Sequence, residues 1–188
     1  MQHKGTYSGA IDGIWGKKSE AAYQALFPQI ESSNIQPPNA DFYSVKRVFG
    51  APGNESNLVT FTFPYLMVLA WDKRTMVKRS RCHKLIKEPL VAALQELLDT
   101  YGTAWIKQHG LHLFGGIYNF RKTRGGKSTS KHSWGIAIDL NPDSNGNRVP
   151  WPSKATMPIE AIKIFEKHGF KSAARAWGRD AMHFQYTK

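Results

Sequence analysis

The sequence of 188 residues contains a single cysteine, Cys82. An internal disulfide needs two cysteines, and a thiolate zinc site needs at least a Cys-x-x-Cys pair, so the sequence excludes both. Any metal ion must therefore be held by histidine and carboxylate side chains.

Long apolar runs are also missing. The longest run, FPYLMVLAW at residues 63–71, is far shorter than the roughly 20 residues that a membrane-spanning helix needs. The N-terminal residues MQHKGTYSG lack the apolar core of a signal peptide, so we expect synthesis in the cytoplasm without an export signal. A content of 41% hydrophobic residues can still bury a core, which indicates a soluble globular protein.

Acidic residues are scarce, because 14 Asp and Glu stand against 26 Lys and Arg, giving a formal net charge of +12. This excess favours binding to polyanions such as nucleic acid, lipid headgroups or anionic cell-wall polymers. The basic residues occur without a zinc finger, an RNP-like aromatic motif or a helix-turn-helix. We therefore predict no specific nucleic-acid partner, and a solvated basic surface is the simpler interpretation of the charge.

A polar stretch, ESSNIQPPN at residues 31–39, divides the chain, and its Pro-Pro pair indicates a linker. Residues 1–30 combine a turn-rich start with a short helix over KKSEAAYQALF, and residues 40–188 form the main domain.

In the main domain, apolar periodicity predicts helices over 88–102 and 158–169, and strands near LHLFGGIYNF, GIAIDLN and AMHFQY. Gly102 and Gly169 suit helix C-caps, and Pro158 suits the first position of a helix. Mixed elements without regular strand-helix alternation predict an α+β fold.

The segment STSKHSWGIAIDLN, residues 128–141, places an acidic residue in a strand that otherwise looks buried. Alternation puts Asp139 on the same face as Gly135 and Ala137, the smallest residues of the strand. A carboxylate in a protein interior must be paired, hydrogen-bonded or bound to a metal, because desolvating it alone costs several kcal/mol. His132 can turn back towards Asp139, and imidazole with carboxylate suits zinc.

A third candidate ligand comes from GRDAMHFQY near residue 183. Alternation places His183 with Ala181 and Gln185, away from the apolar side chains of the same strand. Asp180 precedes the strand and can reach a water molecule at such a site without binding the metal itself. Three ligands, an open fourth position and a free carboxylate are the components of metal-assisted hydrolysis.

The pattern S-x-H-x-x-G-x-A-x-D at residues 130–139, followed by D-x-x-H at 180–183, resembles a known family of zinc peptidases. This family comprises D-alanyl-D-alanine carboxypeptidases (VanY-type) and L-alanyl-D-glutamate endopeptidases, and it includes phage endolysins. The segments FPYLMVLAWD, RCHK, GGIYNFRKTRGG and MHFQ extend the resemblance over most of residues 60–186.

The resemblance implies a fold and a set of site residues. The fold is a small antiparallel sheet with flanking helices that carries a zinc site, as in D,D-peptidases and hedgehog-like domains. Zinc is bound by His132, Asp139 and His183. Asp180 is the general base, Arg121 steadies the substrate or the developing oxyanion, and Ser130 contacts the substrate.

The first segment also resembles part of a known module. YSGAIDGIWGKKSEAAYQALF is similar to the second half of a peptidoglycan-binding module, whose hallmark is G-x-Y-x-G-x-(I/V)-D-G-x-(W/F)-G, but it lacks the first helix of that module. The segment either binds glycan strands or packs on the main domain without binding them.

The resemblance implies hydrolysis of stem peptides in bacterial peptidoglycan, foremost by a phage-type L-alanyl-D-glutamate endopeptidase. We expect a monomer that acts on the cell wall after release by a lysis partner, with anionic wall polymers attracted by charge. One alternative is a D-alanyl-D-alanine carboxypeptidase. A non-catalytic, zinc-stabilised wall-binding module is another, although the presence of Asp180 and Arg121 argues against it. A nucleic-acid-binding protein has only the charge in its favour.

The remaining histidines and acids have simpler interpretations. We expect His83 and His168 at the surface, and we do not expect His109 or His112 to bind metal. The NPDSNGN segment lacks the acidic twelfth residue of a calcium loop, so we predict a turn there.

Overall fold

The structure, a computed structural model, describes residues 35–188. Nearly all of these residues belong to one compact unit, Gln36–Lys188. The predicted peptidoglycan-binding-like segment at residues 1–30 and the first part of the predicted linker lie outside the described residues, so the proposed domain division stays a prediction.

The described residues form α-helices and β-strands, which confirms the predicted α+β class. The helices are α1 Phe42–Phe49, α2 Lys87–Gln108, α3 Pro142–Asn145, α4 Ile159–Lys167 and α5 Ala173–Trp177. The strands are β1 Leu58–Leu69, β2 Asp72–His83, β3 Leu113–Gly116, β4 Ala137–Leu140, β5 Lys171–Ser172 and β6 His183–Gln185. None of the helices within residues 35–188 has the length and apolar character that crossing a membrane requires.

These six strands form a single sheet in the order β2-β1-β3-β4-β6-β5. Strands β1 and β3 pair in parallel, and the other pairings are antiparallel. The three strands predicted from the sequence are present as β3, β4 and β6. The long β1–β2 hairpin was not predicted, because β2 is an edge strand whose mostly exposed side chains show no apolar alternation.

The hydrophobic core lies between the sheet and helices α2 and α4. Strand β1 buries alternate residues, Phe61, Phe63, Tyr65 and Met67, as a half-buried strand should. On the opposite side of the core, Phe165 of α4 stacks on Phe184 of β6 with ring centroids 4.3 Å apart. This packing holds β6, which together with β4 carries predicted site residues.

The helix boundaries follow the predicted glycines and proline with small shifts. The helical backbone is interrupted at Gly102, whose φ of 71° and ψ of 170° are not helical, and a second helical segment continues α2 to Gln108. Pro158 is the N-cap of α4 and not its first helical residue. Gly169 has a positive φ of 86° and follows the C-cap of that helix, where an αL glycine is common.

His83 is buried and not at the surface as predicted, since it retains 2% exposure. Its Nε2 donates to the carbonyl of Phe49, and its Nδ1 accepts from the backbone N–H of Leu85. Burial lowers the pKa of His83 to about 4, so the ring is neutral. Contacts with a distant helix decide this position, and no local pattern reveals them.

Asn145 joins three segments around the predicted site and was not singled out in the sequence. Its side-chain Oδ1 accepts from the backbone N–H groups of Thr156 and Met157, and its Nδ2 donates to the carbonyl of Asn141. Its own carbonyl accepts from the N–H of Met182, directly before His183. The predicted NPDSNGN turn is thus the single-turn helix α3, which ends at this residue.

We predict that Asn145→Ala lowers the free energy of unfolding by roughly 1–3 kcal/mol, because one buried and one part-buried backbone N–H group lose their acceptor. Denaturant unfolding measures the change. Asn39→Ala, at an exposed position, is the control and should change stability by less than about 0.5 kcal/mol. A loss at Asn145 no larger than the control would contradict the anchoring role.

Candidate active site

A cavity of ≈ 450 Å³ opens beside strands β4 and β6. All six residues that the sequence analysis assigned to a site line it: Arg121, Ser130, His132, Asp139, Asp180 and His183. The structure therefore brings together residues that are up to 62 positions apart in the sequence, counting from Arg121 to His183.

Antiparallel pairing of β4 with β6 sets Asp139 directly opposite His183. Directly paired residues point to the same face of a sheet, so the two side chains meet above it. Gly115 of the neighbouring strand β3 makes room for them, because a Cβ there would lie 2.8 Å from the Cβ of Asp139. The small residues expected beside Asp139 thus extend to the adjacent strand.

His132 reaches the same point from a 3-10 helix, Lys131–Trp134, just before β4. The side chain of Ser130 caps this helix by accepting from the backbone N–H of His132 at 3.4 Å. Gly135 ends it in the left-handed conformation at φ 68°, where a Cβ would lie 2.7 Å from Leu58. The turn that carries His132 is therefore fixed at both ends.

Three buried side chains, His132, Asp139 and His183, form the one group of potential metal ligands found among the described residues. Asp139 Oδ1 lies 3.3 Å from His132 Nε2 and 3.0 Å from His183 Nδ1, and the two nitrogens are 3.2 Å apart. A tetrahedral zinc ion with bonds of about 2.0–2.2 Å separates its ligand atoms by roughly 3.3–3.6 Å. The observed triangle, slightly tighter than this, fits such an ion.

The charge of Asp139 also suits a cation. Burial by itself raises the pKa of this carboxyl group, but attraction and hydrogen bonds from His132 and His183 outweigh burial and hold the pKa well below its usual value. Asp139 is therefore ionised although it is only 8% exposed.

Hydrogen bonds on the far side of each imidazole select the nitrogen that faces the cavity. His132 Nδ1 donates to the carbonyl of Ile117 at 2.7 Å, which turns Nε2 towards Asp139. His183 Nε2 donates to Gln185 Oε1 at 3.2 Å, which turns Nδ1 towards the same carboxylate. Gln185 is held in turn by donating to Thr187 Oγ1 at 2.6 Å. Sequence alternation had placed Gln185 beside His183, but it could not reveal this support.

Asp180 lies beside the ligand group without belonging to it. Its backbone adopts a left-handed conformation, φ 57°, which aspartate tolerates better than most residues. One carboxylate oxygen, Oδ1, is buried and has no hydrogen-bond partner within residues 35–188. Burial raises the pKa of Asp180, against the opposing effect of His183. An unpartnered buried oxygen at the cavity wall suits an acceptor for a proton of water or substrate.

Arg121 and Ser130 have partners that constrain their predicted roles. The Arg121 backbone N–H donates to Ser133 Oγ, and its guanidinium Nη1 donates to the carbonyl of Lys122 at 3.1 Å. Other N–H groups of the guanidinium remain to contact a substrate. Ser130 Oγ serves as the helix cap described above, and its hydroxyl hydrogen can still be donated. Both substrate-related roles stay predictions.

Trp177 was not predicted at the site. Its ring stacks on that of His183, with centroids 5.9 Å apart and planes inclined by 24°, and 50% of the residue is exposed. The cavity is also lined by three cations that the sequence did not single out, Arg124, Lys131 and Arg179. The exposed face of Trp177 and the positive lining suit an anionic ligand with an apolar part.

Comparison with known families agrees with this geometry. A family model described as D-alanyl-D-alanine carboxypeptidase matches residues 124–186, about a third of the chain. The matched segment contains the three potential ligands and Asp180, whereas Arg121 lies just before it. The match supports a peptidase of the zinc-dependent class that acts on peptidoglycan. No curated protein and no solved structure gave a significant match.

We predict that Gln185→Met weakens zinc binding by roughly 10-fold to 100-fold, because methionine keeps the volume but replaces the amide oxygen that accepts from His183 Nε2 with a weakly accepting thioether sulfur. Titration with a competing chelator measures the affinity. Thr187→Val is the matched control: it removes only the outer partner, so its effect should be smaller. Equal zinc affinity in Gln185→Met and wild type would show that His183 does not need this support.

Proposed function

We propose that the protein is a zinc-dependent peptidase that cleaves stem peptides of bacterial peptidoglycan. The observation that carries this proposal is the buried group of His132, Asp139 and His183 in a cavity that also contains Asp180. The family-model match supports the same class. A purely zinc-stabilised binding module would not require an unpartnered carboxylate oxygen beside its metal ligands, so the catalytic alternative is favoured.

Each residue then has a chemical role in hydrolysis of an amide. When held by His132, Asp139 and His183, zinc supplies Lewis acidity that polarises the carbonyl group and acidifies water. Asp180 accepts a proton from the attacking water and delivers it to the amine that leaves when the C–N bond breaks. Arg121 stabilises the negative charge that develops on the carbonyl oxygen.

The specificity that we propose first is an endolysin-type L-alanyl-D-glutamate endopeptidase, on the strength of the sequence motifs. A D-alanyl-D-alanine carboxypeptidase is the second candidate, and the description of the matching family model favours it. The positive lining of the cavity suits a free carboxylate near the cleaved bond, which the terminal D-alanine of a carboxypeptidase substrate carries.

Chelation should abolish release of peptides from purified peptidoglycan, and added zinc should restore it. Mass spectrometry of the products separates the specificities. Cleavage after L-alanine leaves that residue as the new C-terminus, whereas carboxypeptidase action releases only D-alanine. Full activity in a verified metal-free sample would overturn the metallopeptidase proposal, and products of neither mass would overturn both specificities.

Asp180 and His183 should differ in their effect on zinc. Asp180→Asn keeps the side-chain shape but removes the proton acceptor, so we expect wild-type zinc content with a rate lower by roughly 100-fold to 10,000-fold. His183→Ala, the matched ligand variant, should lose both zinc and activity. Metal analysis and initial rates on the same folded samples provide the test. Loss of zinc in Asp180→Asn would make Asp180 a ligand, and a near-normal rate would exclude it as the base.

A further inference from the structure

Among residues 35–188, the β1–β2 hairpin leaves one long strand edge unpaired, since β2 is the outermost strand of the six-stranded sheet. Strand β2 spans 12 residues, about 40 Å at roughly 3.3 Å per residue, and most of its side chains are exposed. Such an edge can be covered by a partner, or protected from aggregation by charged side chains.

The charges on β2 are almost all positive. The strand carries one acidic residue, Asp72, and five cations: Lys73, Arg74, Lys78, Arg79 and Arg81. A cluster this dense, on a sheet edge without a neighbouring strand, creates a linear positive surface.

Local acids neutralise only part of this surface. Lys73 pairs with Asp143 at 2.6 Å, and Arg81 pairs with Glu55 at 2.8 Å. The side chains of Lys78 and Arg79, by contrast, are exposed and make no ion pair or hydrogen bond with the described residues, although the backbone of Arg79 pairs with Thr62 of β1. Neighbouring residues of a strand point to opposite faces, so these two cations flank the outer edge of β2 from either side, where both can reach a ligand that lies along the edge.

The positive edge is connected to the candidate active site. The guanidinium of Arg81 lies over the ring of Tyr118, 5.8 Å from its centroid, and Tyr118 is three residues before Arg121 in the cavity wall. The following segment, residues 121–131, contains five cations and no acid. At the base of the hairpin, the His83 N–H donates to the carbonyl of Gly135, which ends the turn that carries His132.

We propose that the outer strand β2 binds a linear anionic polymer with a phosphodiester backbone, of the kind attached to bacterial walls, and so holds the enzyme beside its substrate. Repeated phosphates complement cations spread along an extended strand. A lipid surface would instead favour exposed apolar side chains. The hairpin exposes three large ones, Leu66, Trp71 and Met76, against five cations on β2 alone. The preference for a wall polymer over nucleic acid rests on the proposed function, whereas the location of the binding surface does not.

The test uses the full chain and a binding measurement that needs no turnover. Fluorescence anisotropy with labelled poly(glycerol phosphate) gives the affinity between roughly 0.1 and 0.5 M salt, where the screening length falls below about 10 Å. We expect Lys78→Gln/Arg79→Gln to weaken binding about 10-fold at the lower salt concentration and less at the higher one. Activity on a small soluble muropeptide should not change.

A matched variant separates position from overall charge. Lys154→Gln/Lys163→Gln removes the same charge from exposed positions in and before α4 and should leave polymer affinity within about twofold of wild type. Equal weakening by both pairs would show that only net charge matters, and no weakening by either would remove β2 from binding; each result overturns the proposal.

Three further outcomes identify a different role for the strand. Tighter binding to duplex DNA than to the polymer, sensitive to the β2 pair, would assign nucleic acid to this surface. Binding to phosphatidylglycerol vesicles but not to the polymer would assign a lipid surface. Aggregation of the β2 variant with unchanged polymer affinity would show that the cations protect the strand edge. Each of these outcomes overturns the proposal and leaves the peptidase function to be judged by its own assays.

Discussion

The carboxylate of Asp139 lies inside the sheet, directly opposite His183 on the paired strand. Desolvating this charge is costly, so the surrounding groups must compensate for it. Other neighbours must be small enough to leave room for those groups. Two imidazoles supply the compensation on one side. On the other side, Gly115 provides the space, since any side chain there would collide with Asp139. The small residues and the histidines around Asp139 therefore have one physical cause, which is the cost of burying its charge.

The compensating groups are themselves held in place. A hydrogen bond to a backbone carbonyl orients His132. A series of side-chain hydrogen bonds from His183 to Gln185 and from Gln185 to Thr187 orients the other imidazole. Because each outer ring nitrogen is held by a hydrogen bond, both rings keep their inner nitrogen towards the same point, where it can pair with Asp139 or bind a cation. Preorganisation of this kind lowers the cost of binding a cation, since little has to move when it binds.

Much of the site could be predicted from sequence because its residues follow a local rule. Alternation along β4 and β6 identified the faces of Asp139 and His183, and the burial of an acid required a partner. The β1–β2 hairpin was not predicted, because an exposed edge strand has no buried face and its sequence therefore shows no alternation of apolar and polar residues. The burial of His83 and Asn145 was not predicted because their partners, Phe49, Thr156 and Met157, lie 11 or more positions away. Only tertiary contacts decide whether such polar residues are buried.

The pairing of β4 with β6 also affects when the candidate site can form during protein synthesis. Asp139 and His183 are separated by 44 positions, and the segment between them includes α3, α4 and α5. A ribosome therefore makes His132 and Asp139 well before it makes His183. Under the proposed zinc assignment, a partly synthesised chain offers a metal ion only two of the three ligands, and the full set meets only when β6 has been made and pairs with β4. A chain that stops before residue 183 cannot complete the site.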